Sequence, residues 1–145
     1  MPVYEATFNT IFIIESLETS ETPTGANLSL DLESRQIWHT NIFDLSFTKA
    51  ATKVEFIEIL KLIKHQVDEK KILPYIHLEM HGETNKRGLI TATDDLISWS
   101  ELAQLLREIN VLSKNNLIIS LAGSSTTLIM AAMAAMLLSV MAGLR

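Results

Sequence analysis

The sequence predicts an α/β fold, a mostly parallel sheet flanked by helices, on three observations. Strand-like and helix-like segments alternate along the chain. Two strand-like segments, Phe8 to Ile14 and Leu117 to Ala122, are almost wholly apolar, as strands buried on both faces are. Two helix-like segments open on capping boxes, Thr52 to Glu55 and Ser98 to Glu101, in which a hydroxyl and a carboxylate satisfy each other's backbone N–H groups. At 145 residues the chain suits one domain and can bury a core without staples.

The elements follow in order. Residues 3–17 are β-branched and aromatic and read as the first strand. Residues 18–25, ETSETPTG, are a polar linker punctuated by Pro23 and Gly25. Residues 26–38 are ambiguous: Leu28, Leu30 and Leu32 alternate as in a strand, while Leu28, Leu32, Arg35 and Gln36 fit a helix, which is the expectation taken. Residues 42–48 alternate Phe43, Leu45 and Phe47 with polar partners and read as a short strand. The helix opened by Thr52 should run to about Glu69, with Val54, Phe56, Ile57, Leu60, Ile63 and Val67 on its apolar face and Ile59 and Leu62 widening it. Residues 72–80 form a strand that stops at His81-Gly82. Residues 88–99 read as a hairpin turning at Thr93-Asp94-Asp95. The helix after Ser98 carries Leu102, Leu105, Leu106 and Ile109 on one side. A loop over residues 113–116 and the apolar strand 117–122 follow, with a small-residue turn at Gly123-Ser124-Ser125.

Composition excludes several functions. The net charge is −5 and the basic residues are scattered, unlike the footprint of a nucleic-acid binder. There is no cysteine, so disulfides, thiolate metal sites and a cysteine nucleophile are all ruled out. No positive region followed by an apolar stretch opens the chain, so no signal peptide is expected. A cytoplasmic location is expected, with membrane association as an option raised by the C-terminal run.

That run has no charged residue from Asn115 to Leu144. Residues 126–144 are about long enough to span a bilayer as a helix. They lack the polar face of a helix lying outside a sheet. Residues 1–125 are therefore expected to form the α/β domain, and residues 126–145 an apolar helix or tail. The tail reads as a core helix, a membrane anchor, or the product of a truncation or frameshift. It should be covered by a partner chain, by a further segment or by lipid.

Candidate sites cluster at strand ends. Tyr75, His77, Glu79 and His81 share one face of their strand. His77 and His81 are roughly 13 Å apart on a strand, too far to share one ion, so no metal is expected. The bland reading is a polar row packed on helix ends, with Glu79 bonded to a neighbour. His81 differs because ligands in open α/β sheets bind beyond the carboxyl ends of strands. Gly123-Ser124-Ser125 ends the next long strand. If the two strands are neighbours, an imidazole and a hydroxyl meet at one rim, an outline of base and nucleophile. Asp94 and Asp95 read as turn residues and Trp99 as core.

The ordered set YIHLEMHG, RGLI, SWSELAQLLREIN and NNLIISLA resembles the caspase-like (clan CD) cysteine peptidases, CHAT-type domains in particular, over most of residues 6–124. In that family an apolar strand ends in His-Gly, a short hairpin and a helix follow, and the next apolar strand leads to the nucleophilic cysteine. The resemblance implies that His81 is the base and that the Gly82 N–H contributes to the oxyanion hole. Ser124, or in another register Gly123, then stands where the cysteine belongs. A thiol with a pKa near 8.5 needs only a simple dyad, whereas a hydroxyl needs a base held by a third group, and the sequence offers no obvious third group. The expectation is a peptidase-like fold without peptidase activity that acts by binding a protein or peptide. The alternatives are a serine-variant hydrolase using Ser124 and His81, and an effector anchored by residues 126–144. No cofactor is implied.

Overall fold

The computed structural model describes residues 7–38 and 43–123. In chain order the elements are β1 (Thr10–Ser16), α1 (Thr24–Trp38), β2 (Asp44–Lys49), α2 (Lys53–Lys70), β3 (Pro74–Gly82), β4 (Gly88–Ile90), β5 (Leu96–Ser98), α3 (Trp99–Leu112) and β6 (Ile118–Ala122). Every residue of β1 is buried, as its apolar run requires. Both capping boxes form with both of their reciprocal bonds, at Thr52 with Glu55 and at Ser98 with Glu101. The ambiguous segment after Gly25 is helical. Leu28 and Leu32 are partly buried, whereas Leu30 is 65% exposed, so the spacing of four outweighs the spacing of two.

The sheet is parallel through β2, β1, β3 and β6, with β1 between β2 and β3 and β6 beside β3. The hairpin β4–β5 is antiparallel and extends β3 at His81 and Gly82. Here the expected boundary moves. The strand does not stop at Met80, because His81 pairs with Ile90 and Gly82 with Leu89. The expected turn between β4 and β5 is present, with Asp94 in the left-handed region at φ 62°.

Helices cover both faces. Phe12 and Ile14 of β1 and Ile76, Leu78 and Met80 of β3 form one core with Phe56, Leu60, Ile63 and Val67 of α2 and Leu102, Leu106 and Ile109 of α3. Removing each such side chain from water contributes about 1.5–3 kcal/mol. Two expected members of the α2 face are exposed, Val54 at 66% and Leu62 at 56%. Both lie well round the helix from the four α2 side chains that are buried against α3 and the sheet. Lys53 to Glu101 at 2.8 Å and Lys64 to Glu108 at 2.9 Å link α2 to α3 on the surface.

The opposite face, which carries Glu15 and Glu79, receives α1. The free N–H groups at a helix start need acceptors, and here the sheet provides them. Glu15 Oε1 accepts from the N–H groups of Gly25 (2.9 Å) and Ala26 (3.1 Å), and Glu79 Oε2 accepts from Thr24 Oγ1 at 2.9 Å. Both carboxylates are buried, and each lies where the positive end of the helix dipole stabilises a negative charge. A Cβ at Gly25 would crowd Glu15 Oε1 and Glu79 Cγ, each at 3.0 Å, so the close seating favours glycine.

Among the described residues no helix is long and apolar enough to cross a membrane. The apolar run at 126–144, on which the membrane expectation rests, lies outside the described residues, as does Ser124.

Candidate functional site

β1 leads to β2 on one side, and the chain then returns to β3 on the other. The crevice beyond the carboxyl ends of β1 and β3 is therefore the switch point at which open α/β sheets bind ligands. A cavity of about 400 Å³ lies there, lined by Leu17 and Glu21 after β1, by Glu79 and His81 of β3, and by Ala122 and Gly123 at the end of β6. A second cavity of about 560 Å³ adjoins the ends of β1 and β2, with Glu15, Glu18, Lys49 and Thr93 in its lining. Leu17 and Glu21 line both.

His81 is held at the rim by β3's pairing with β4 and is met there by Glu21, whose Oε1 bonds the ring at Nε2. Bonding to His81 is the largest influence holding the Glu21 carboxyl below the ordinary carboxylate range, followed by a bond from the backbone of Glu18. Sequence reasoning missed Glu21. It sits 60 residues before His81, in a linker whose composition speaks only of turns. The β1–α1 loop thus supplies His81 with a carboxylate partner that the sequence did not announce.

The expected neighbour relation holds. β6 lies parallel to β3, pairing Tyr75 with Ile118 through Glu79 with Ala122. Gly123 continues so close to β3 that a Cβ there would run into the Met80 carbonyl oxygen. The direction of the Gly82 N–H follows from strand alternation. The Leu73 carbonyl accepts from Thr10 N–H at 3.3 Å and Glu83 N–H donates to the Gly88 carbonyl at 2.9 Å. Odd-numbered residues of β3 therefore turn their backbone groups toward β1 and the hairpin, and even-numbered ones toward β6. Gly82 is even-numbered, so its N–H points to the side on which β6 ends.

The remaining polar row resolves into a chain of bonds. Ser120 Oγ and His77 Nδ1 are 2.6 Å apart, His77 Nε2 and Glu79 Oε1 are 2.9 Å apart, and Glu79 Oε2 holds Thr24. The order hydroxyl, imidazole, carboxylate resembles a relay. Its position argues otherwise, because β3's N–H groups at that level face its neighbours β1 and β6 and offer no donor to a developing oxyanion. The chain ties β6 to α1 across β3. The partner of Glu79 was foreseen in kind, and Ser120 was not, since the register of β6 on β3 cannot be read from either strand alone.

Among the described residues no three His, Asp or Glu side chains are grouped so as to hold a metal ion. Asp95 Oδ2 accepts from the Lys53 N–H at 3.1 Å and from Thr93 Oγ1 at 3.0 Å, fastening the hairpin turn to the start of α2. Trp99 is half-buried against the core, with Nε1 donating to the Lys86 carbonyl at 2.7 Å. Compared with known protein families and with curated proteins, the chain matches none.

Proposed function

We propose that the chain is a caspase-like domain that binds a peptide or protein segment over the carboxyl ends of β1, β3 and β6, without cysteine-peptidase chemistry. The observation that supports this most is the parallel pairing of the strand that carries His81-Gly82 with the strand that leads to Gly123. The ladder's last described pair is Glu79 with Ala122, and the resemblance puts the family's cysteine two residues further along the sequence, at position 124. That position holds serine. A thiol is partly ionised at neutral pH, and a hydroxyl is not.

A second reading, a serine-variant hydrolase, is favoured by the Glu21 carboxylate on His81, since a hydroxyl nucleophile needs a base that is itself oriented. Intact-mass analysis after treatment with an electrophilic acyl probe separates the two. The expected outcome is no label on the parent protein and one label on Ser124→Cys, at residue 124. Labelling of the parent at Ser124 would establish the hydrolase and overturn the binding reading. Failure of both proteins to label would remove the caspase-like assignment of this rim.

A further inference from the structure

We propose that β2 is a dimer edge, at which two copies of the chain join their sheets by antiparallel pairing of Asp44–Lys49 about a two-fold axis at Phe47. Among the described residues β2 pairs with β1 alone and so ends the sheet. Its backbone groups divide by parity. Asp44 N–H donates to the Asn9 carbonyl and Ala50 N–H to the Glu15 carbonyl, each at 2.9 Å, so the even positions turn toward β1. The odd positions, Leu45, Phe47 and Lys49, turn their N–H and carbonyl groups outward, and no described residue pairs with them there. Sheet edges are commonly blunted by a proline, a bulge or a charge in mid-strand. β2 has none of these. Its register on β1 is unbroken from Asp44 to Lys49, and its central residues, Leu45 to Thr48, are uncharged and half-buried.

The strand fits a second copy of itself. In an antiparallel ladder, residues that exchange hydrogen bonds lie directly opposite each other. With the axis at Phe47, Phe47 meets Phe47 of the second copy, and Leu45 meets Lys49 in both directions. Every outward N–H then finds a carbonyl. An axis at any other residue of β2 leaves an outward residue with no partner in the strand, and at Lys49 it also opposes like charges. The side chains agree with this register. Ser46 and Thr48 share the sheet face of Phe12 and Ile14, and Phe47 that of Ile13. The axis sets Ser46 opposite Thr48, a hydroxyl pair, and the two Phe47 rings opposite each other, an aromatic pair, both of them favourable across strands. It also brings the Asp44 end of one copy to the Lys49 end of the other, whereas in-register parallel pairing would set like on like. The arrangement closes on itself, as two-fold dimers do, and leaves the two His81 rims at opposite ends of the joined sheet. A contact one strand wide falls at the small end of specific interfaces, about 1,200 Å² or less in total, so the dimer is expected to be reversible.

Sedimentation equilibrium of the full chain over a concentration series should show monomers passing reversibly to dimers below about 1 mM. Ser46→Lys combined with Thr48→Lys puts lysine opposite lysine at both crossings and should abolish the dimer. Ser46→Glu combined with Thr48→Lys puts glutamate opposite lysine and should keep it. Both variants carry charges at the same two sites, so a general disturbance of β2 would affect them alike. If the variants do not fold, amide hydrogen exchange on the parent serves the same purpose. The amides of Leu45, Phe47 and Lys49 should slow as concentration rises, and those of Ser46 and Thr48, which face β1, should not. A chain that stays monomeric to about 1 mM overturns the proposal. So does a dimer that survives the lysine pair, or one that is lost equally in both variants. Protection of the outward amides in a monomer, independent of concentration, would place another segment of the same chain on this edge and overturn it as well.

Discussion

Glu21 and His81 illustrate what a single residue's neighbours can do that its sequence context cannot announce. Their pairing also makes a statement about pH. The folded-state acidity of Glu21 is raised, because its carboxyl is held below the ordinary value of 4.5 chiefly by the bond to His81. Stability from a depressed carboxyl is present above that ordinary value and lost as pH falls through the lowered one. Urea midpoints of the parent and Glu21→Gln, followed from neutral pH to about pH 3, should therefore differ most at the neutral end and converge on acidification. A constant difference across the range would mean that the glutamine disturbs packing rather than charge. At this scale His81 and Gly82 were legible as candidates, because a polar pair ending an apolar strand invites a reason. Glu21 and Ser120 were not, because each acquires its role only through a contact with a residue 60 or 43 positions away.

Elements were read more reliably than single residues where local chemistry settles them. The two capping boxes are of this kind, since every partner lies within four residues. Thr52→Ala and Ser98→Ala should each cost about 1 kcal/mol, visible as a lower urea midpoint at unchanged slope. A loss of several kcal/mol from either would show that the hydroxyl supports tertiary structure as well as its helix. The end of β3 was placed short because His81 and Gly82 look like terminators, yet the hairpin that follows supplies them with partners. The α1 segment was ambiguous for a physical reason. Its leucines satisfy both periods, and its N-terminus is held by Glu15 and Glu79 of the sheet rather than by a cap of its own. The outer positions of α2, Val54 and Leu62, show the limit of periodicity, which names a stripe but not its width.

For the molecule as a whole, the alternation of buried strands and capped helices was sufficient to predict a mostly parallel sheet with helices on both faces, and the described residues have that architecture. The placement of β1 between β2 and β3 and of β6 beside β3 was not legible, because strand order depends on which faces the helices cover. That order is what gathers Leu17, Glu21, His81 and Gly123 around one cavity. Three segments distant in sequence thus become one rim, although no single segment resembles a site.

β3 is shared between neighbours on its two sides, and its successive amide protons look alternately to each. Those of Ile76, Leu78 and Met80 face β6, and those of Tyr75, His77 and Glu79 face β1. Along one strand the protein therefore carries two interleaved clocks. If β6 opens before the rest of the sheet, hydrogen exchange should run faster at the even positions than at the odd ones, giving a sawtooth along residues 75–80. If the sheet opens as a unit, the two sets should exchange together, and the rim around His81 would then exist only while the entire sheet does.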